Sequence, residues 1–281
     1  MGISLGLIGY PAKHSLSPWI HQRFMETAKI KGSYNIFEIA PDEFDKEVKN
    51  LKTMDLQGFN VTVPFKQKII PYLDQLDPDA KRTGAVNTVI DHDGKWIGYN
   101  TDGKGYIRSL KSAYPEVISD DKRVLILGAG GAARGIYRAL VTENMKQVDI
   151  ANRTISKANL LLELGERTTE TFIFTMEEAK EKLRDYDLII QTTNVGMKPN
   201  SKEQPIPLTT LKKGTVVSDI VYQPLQTAFL QDAKSHGGFT HMGHTMLLYQ
   251  AQYAFELWTN QKVEVELMDR ELEQRLKGFE T

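Results

Sequence analysis

Arg123-Val124-Leu125-Ile126-Leu127-Gly128-Ala129-Gly130-Gly131-Ala132-Ala133 is the stretch that decides how this chain folds. Its apolar, partly β-branched opening reads as a buried strand. The run passes without a spacer into a G-x-G-x-x-[GA] turn with Ala133 in the third slot, and a helical pattern over 132–142 follows. Gly128 suits the tight turn, Gly130 lets backbone N–H groups approach a pyrophosphate, and Ala133 lets helix and strand pack closely. With Ala129, Gly131 and Ala132 they form a phosphate cradle at the positive end of a helix dipole. A glycine run alone is weak evidence. Between a strand and a helix that open a βαβ series, it predicts a dinucleotide site.

The next strand, at 148–151, runs into Asn152-Arg153-Thr154. NAD enzymes place Asp or Glu there to bond the ribose 2′-OH, but Asp149 falls inside the strand, before that position. Arg153 offers a permanent planar cation suited to a 2′-phosphate, with Asn152, Thr154 and Lys157 as supporting groups. The reading is NADP, as NADPH, rather than NAD.

Outward from this core, a helix from Ser156, a strand at 171–174, a helix from Glu177 and strands at 187–191 and 215–220 keep alternating. Such alternation predicts a parallel sheet with helices on both faces. Upstream, apolar runs at 5–8, 34–39, 58–63, 85–90 and 96–99 alternate with helices opened by Ser17-Pro18 and by Asp42-Glu43-Phe44. Residues 86–90 and 96–99 read as a β-hairpin with an Asp-Gly turn. Helical stripes at 246–258 and 265–276 close the chain, and they are expected to return to the first domain, with Gly237-Gly238 a candidate flexible link. The expected architecture is α/β, with two α/β domains and a cleft between them. A substrate-binding, catalytic domain covers 1–104, joined by the C-terminal helices of 239–281. A Rossmann-like NADP-binding domain covers 105–238.

Composition narrows the function. The 281 residues suit two domains of ordinary size. Lys and Arg number 35 and Asp and Glu 36, which leaves no field to attract nucleic acid or a membrane surface. The chain has no cysteine, hence neither disulfide nor thiolate chemistry, in keeping with a reducing cytoplasm. The opening MGISLGLIGYP lacks a positive n-region and a cleavage site, and Gly6 stands where a myristoylation signal wants Ser or Thr. His241 and His244 are close in sequence without an obvious third ligand, so no metal is expected. A small-molecule substrate is expected, with no nucleic-acid or membrane partner; whether the protein is a monomer or homodimer is left open by the sequence.

The first domain carries the candidate chemistry. His14-Ser15-Leu16-Ser17-Pro18 sets two hydroxyls at the mouth of a helix, a place that suits a carboxylate, although Ser-Pro there is more often only a cap. Asn60-Val61-Thr62-Val63-Pro64-Phe65-Lys66 ends a strand with a lysine just past a proline, and Gly98-Tyr99-Asn100-Thr101-Asp102-Gly103 carries an acid. Singly, such a Lys or Asp is usually a solvated surface charge.

In order and over nearly the full length, the segments GYPAKHSLSP, NVTVPFK, GAVNTV, GYNTDGKG, GAGGAARG, NRT, TTNVGM and DIVYQPLQT resemble the signatures of the shikimate dehydrogenase family. So does the tail from Gly243 through Met246 and Leu247 to Gln250 and Ala251. The resemblance implies reversible reduction of 3-dehydroshikimate to shikimate with NADPH, in aromatic amino-acid biosynthesis. It implies a catalytic pair, Lys66 and Asp102, and substrate contacts from Ser15, Ser17, Thr62, Asn87, Thr101, Tyr222 and Gln250. It also implies cofactor contacts from Thr192, Met197, Ile220 and Gly243. The chain departs from the pattern at Gln22, where Asn is common, and at His244 and Thr245, where smaller residues follow the glycine. A quinate/shikimate dehydrogenase with dual cofactor use is the near alternative, and a non-catalytic NADP-binding sensor the distant one. A methylenetetrahydrofolate dehydrogenase is disfavoured, because its Tyr-x-x-x-Lys is not found.

Overall fold

The computed structural model describes residues 2–278, and in it the chain divides into two compact units. The first is the chain up to Asp102 together with Gln250–Glu264; the second is Gly103–Tyr249 with the residues from Val265 onward.

The strands of the first unit are β1 (Ile3–Gly9), β2 (Gly32–Glu38), β3 (Gly58–Val61), β4 (Gln75–Leu76), β5 (Thr88–His92) and β6 (Lys95–Tyr99). They form a mixed sheet in the order β2-β1-β3-β5-β6-β4. β1 lies parallel to β2 and β3, whereas β3/β5 and β5/β6 are antiparallel. The β5–β6 turn consists of Asp93 and Gly94 at φ 54° and 79°, the left-handed geometry that makes Asp-Gly a hairpin turn. Helices α1 (Ser17–Thr27) and α2 (Phe44–Leu51) accompany the sheet. Phe44, Val48 and Leu51 of α2 share a core with Phe59, Phe65 and Trp96. The short helix α3 (Pro78–Thr83) and β4 escape the sequence reading, since a six-residue polar helix and a two-residue strand carry almost no apolar period. The run read as 58–63 stops as a strand at Val61. Val63 and Pro64 are exposed, and the Phe65 N–H turns back to Thr62 O at 2.9 Å.

The second unit holds β7 (Arg123–Leu127), β8 (Gln147–Ala151), β9 (Ile173–Phe174), β10 (Leu188–Gln191), β11 (Val216–Asp219) and β12 (Phe239–Met242). All pair in parallel, in the order β12-β11-β10-β7-β8-β9. That is the doubly wound order of dinucleotide-binding folds, with the reversal at β7. Alternate residues of β7 serve opposite faces. Val124 and Ile126 join one core with Ile136, Tyr137 and Leu140, while Leu125 and Leu127 join another with Phe229 and Leu230. A sheet buried on both faces needs such unbroken apolar strands. The helices are α4 (Asp102–Ala113), α5 (Gly131–Thr142), α6 (Ile155–Asn159), α7 (Met176–Glu181), α8 (Ala228–Ser235), α9 (His244–Thr259) and α10 (Glu266–Gly278). Among the described residues no helix is long and apolar enough to cross a membrane.

Three expectations about the tail need correction. Residues 239–242 are not part of a returning segment but a strand, β12, in register with β11 from Val216↔Phe239 to Asp219↔Met242. Only His241 in it is buried, so its apolar signal is weak. Gly237-Gly238 is a helix stop rather than a link between domains. Gly237 sits at φ 80°, and the Gly238 N–H bonds Ala233 O at 2.9 Å, closing α8 inside the second unit. The last helix, α10, also belongs to that unit. Only Gln250–Glu264 joins the first, where Trp258 donates its indole N–H to Val89 O at 2.9 Å.

Candidate active site

In the first unit, the segment after β3 is pinned on both sides of Lys66. Phe65 is buried and stacked on Phe44 at 4.3 Å, and Lys66 O accepts from Val86 N at 2.8 Å. The lysine then reaches Asp102, with Nζ 2.6 Å from Oδ2 and the two side chains only 18% and 5% exposed. Asp102 is the first residue of α4, where the helix dipole favours a carboxylate. Its N–H is held by Asn100 Oδ1 at 3.1 Å, and Asn100 in turn donates to Ala85 O at 2.9 Å.

Asn87 is the hub. Its Nδ2 donates to Asp102 Oδ1 at 2.8 Å and Thr101 Oγ1 at 2.9 Å, and lies 3.3 Å from Gln250 Oε1. Its Oδ1 accepts from Thr101 N at 2.8 Å and Thr88 Oγ1 at 3.0 Å. Only this orientation of the amide faces a donor to the carboxylate and an acceptor to the backbone N–H. Thr101 Oγ1 also donates to Gln250 O at 3.0 Å. Lys66, Asn87, Thr101, Asp102 and Gln250 therefore converge, although they come from four stretches of sequence. Ser15 and Ser17 form a second pair, with Oγ atoms 3.1 Å apart and Ser15 Oγ accepting from Ser17 N at 3.2 Å. No side-chain bond caps α1 at Leu16. Thr62 follows β3, its methyl filling the space where a Cβ at Gly9 would stand.

In the second unit, parallel register brings Leu127, Ala151, Gln191, Asp219 and Met242 to one edge of the sheet. The residues directly after them are Gly128, Asn152, Thr192, Ile220 and Gly243, each a cofactor expectation. Gly128 has φ 115°, and a Cβ there would meet Thr192 Oγ1 at 2.5 Å. A Cβ on Gly130 would meet nothing within 4 Å, so the first turn of α5 faces open space with its amides uncapped by any side chain. That cradle fits a pyrophosphate. Asp149 is fully buried and accepts from Phe172 N at 2.9 Å and Tyr186 OH at 2.8 Å, so it serves the fold. Arg153, Thr154 and Lys157 are exposed beside it in sequence, and Asn152 Nδ2 donates to Thr154 O at 2.8 Å. Thr192 spends its hydroxyl on Leu127 O at 2.8 Å, and Met197 is exposed. Gly243 packs so closely on Ile220 and Asp219 carbonyls that a side chain has no room. Tyr222 belongs to this unit, whereas Asn87 belongs to the first, and burial raises the Tyr222 hydroxyl pKa.

Both flagged histidines have other partners. His241 Nδ1 lies 2.8 Å from Ser218 Oγ, and His244 Nε2 lies 3.2 Å from Asp269 Oδ1. Burial, aided by the neighbouring His244, lowers the His241 pKa to about 4.

Comparison with known proteins matches three successive segments of the chain. Residues 7–89 match the shikimate dehydrogenase substrate binding domain, 112–220 the shikimate / quinate 5-dehydrogenase domain, and 243–273 the shikimate 5'-dehydrogenase C-terminal domain. A shikimate dehydrogenase (NADP(+)) of Oceanobacillus iheyensis is 54% identical over 99% of this chain and 100% of its own. The chain belongs to the shikimate dehydrogenase family. A crystal structure of a shikimate dehydrogenase in complex with NADP+ superposes with a TM-score of 0.90 at 35% identity, covering 98% of this chain and 96% of that one. The Thermus thermophilus shikimate 5-dehydrogenase, in complex with NADP(H) and shikimate, gives 0.86 at 32% identity over 98% and 99% of the two chains.

Sequence reasoning passed over Asn60, Thr88 and Asn100, all buried and all bonded into the cluster. Their signal was a polar residue within or beside a buried apolar strand, which needs a partner. It also passed over Asp219 and Thr227, joined at 2.7 Å at the carboxyl edge of the second sheet.

Proposed function

We propose that this chain catalyses the reversible reduction of 3-dehydroshikimate to shikimate with NADPH, a step toward chorismate and the aromatic amino acids. The observation that carries the reading is the Lys66–Asp102 pair at 2.6 Å, tied through Asn87 to Thr101 and Gln250. Reduction of a ketone leaves negative charge on its oxygen, so a proton donor must stand there. Lys66, as an ammonium, stabilises that oxygen and delivers the proton; in the reverse direction a neutral Lys66 takes the hydroxyl proton. Asp102 fixes the direction of Nζ, while Asn87 holds the other carboxylate oxygen still. Ser15 and Ser17 receive the substrate carboxylate; Thr62, Asn87, Thr101, Tyr222 and Gln250 receive its ring oxygens.

Residues 128–132 cradle the pyrophosphate, and Asn152, Arg153, Thr154 and Lys157 receive the 2′-phosphate. Thr192, Met197, Ile220 and Gly243 line the nicotinamide end. NADPH, when bound, supplies the hydride. Balanced charge and the lack of cysteine suit a cytoplasmic enzyme of small molecules.

The test is absorbance in the NADPH band with purified protein, NADP+ and either shikimate, quinate or no substrate. Reduction driven by shikimate alone is expected. Comparable turnover of quinate makes it the dual enzyme, and turnover of neither leaves a nucleotide-binding sensor.

A further inference from the structure

An amide has nearly the same shape either way round, so the end of Asn87 that faces Asp102 must be fixed by its neighbours. Turned over, Asn87 would set its oxygen against Asp102 Oδ1, where a hydrogen bond of 2.8 Å now stands. Two donors oppose that turn. The Thr101 backbone N–H donates to Asn87 Oδ1 at 2.8 Å, and the Thr88 hydroxyl donates to the same oxygen at 3.0 Å.

A hydroxyl can itself rotate, but the sense of this one is set. Asn60 Nδ2 donates to Thr88 Oγ1 at 3.1 Å and to Asn87 O, a carbonyl that can only accept, at 3.0 Å. Asn60 Oδ1 accepts from the Tyr34 hydroxyl at 2.7 Å. The Thr88 oxygen therefore accepts from Asn60, and its single proton goes to Asn87 Oδ1. The bonds leave Asn87 at its carbonyl and return at its side chain. The loop closes because Asn60 on β3 and Thr88 on β5 stand directly opposite each other in the ladder. Thr88 is fully buried and Asn60 only 5% exposed, so water does not replace a lost partner. The strand alone does not ask for this hydroxyl, since Val has the same branched shape and an equal preference for β structure.

We propose that Thr88 is a positioning residue of the reaction: its hydroxyl holds the Asn87 amide with the NH2 group toward Asp102 and the substrate. The inference rests on the shikimate reading of this site. Thr88 touches neither substrate nor cofactor and acts through Asn87 alone. The Thr101 N–H shares the task, so losing Thr88 loosens the amide without freeing it.

The experiment is Thr88→Val, which removes the hydroxyl and keeps the shape. Its kcat/KM for shikimate should fall roughly three- to thirtyfold, the scale of one buried hydrogen bond, while the KM for NADP+ stays unchanged. Thr88→Ser, which restores the hydroxyl without the methyl, should keep kcat/KM within about threefold of wild type. The decisive arm repeats Thr88→Val in an Asn87→Ala background. With no amide left to hold, the substitution should cost less than about twofold further. The full loss in that background would make Thr88 a general support of the fold and overturn the proposal. So would an unchanged kcat/KM in Thr88→Val, or a loss in Thr88→Ser as large as that in Thr88→Val. Melting curves check that each variant is folded, and Thr88→Ala, with the same expected losses, takes the place of a Thr88→Val that does not fold. A wild type inactive on shikimate would instead sink the functional reading and this inference with it.

Discussion

Asp102 and Asp219 are both buried carboxylates beside a strand end, and they are held in contrasting ways. Asp102 meets the Lys66 ammonium at 2.6 Å and the Asn87 amide at 2.8 Å. Asp219 meets the Thr227 hydroxyl at 2.7 Å and the Val221 N–H at 2.9 Å. The first arrangement joins two opposite charges in the proposed catalytic pair; the second ties the α8 cap to the end of β11 and the turn that carries Ile220. The contrast extends to the whole of each unit. In the first, side chains bond one another before any substrate arrives, so the chemistry is pre-organised. In the second, the groups proposed to receive the cofactor are backbone at strand ends and a helix start, together with exposed side chains such as Arg153.

The largest effect should come from breaking the first arrangement at its charge. Lys66→Ala is expected to lower kcat by roughly 10²–10⁴-fold, the scale for losing a general acid–base, with little change in KM. Steady-state rates in both directions measure it. A raised KM with kcat intact would reduce Lys66 to a binding group. The second unit should break differently. Arg153→Ala is expected to raise the KM for NADPH by roughly ten- to a hundredfold, as for one or two lost charge-assisted bonds, and to leave NADH use almost unchanged. The loss should shrink as salt rises, because Arg153 is exposed and its pairing is screened. Equal losses with both cofactors would mean that Arg153 supports the fold instead.

The same contrast explains what could be read from sequence. The second sheet was legible because β7, β8, β10 and β11 are buried apolar runs and most of its strands have a helix after them, and the cofactor edge because it is expected one residue past each strand. β12 was missed, since three of its four residues are not buried. The first unit's ladder is mixed, so its hairpin turn at Asp93-Gly94 was readable while β4 was not. Its site was visible only in pieces. Lys66 and Asp102 stood out as isolated charges, and family resemblance paired them. Their supports Asn60, Thr88 and Asn100 sit in strands and turns whose pairing no local pattern specifies. Gln250 is 163 residues from Asn87, and nothing short of the tertiary fold brings them to 3.3 Å.

The smallest effect should come from the second carboxylate. Burial raises the Asp219 pKa from 3.8 to about 7, against the opposing bonds from Thr227 and Val221. The native state therefore keeps this proton to a higher pH than the unfolded chain does. Its contribution to stability is full below about pH 4, declines as pH rises, and is lost once pH passes about 7. Asp219→Asn preserves the shape and a partner for the Val221 N–H but cannot ionise. Melting temperatures measured from about pH 4 to pH 8 should fall across that window less steeply for the variant than for the wild type, while shikimate turnover at neutral pH changes little. Identical pH profiles would show that Asp219 is ionised in the folded protein throughout. Asp102→Asn should give the opposite signature, a large loss of kcat, because it removes the carboxylate oxygen that meets Lys66 Nζ at 2.6 Å. If both variants lost activity and neither altered the pH profile, the two carboxylates would be doing the same job and the contrast between the units would fail.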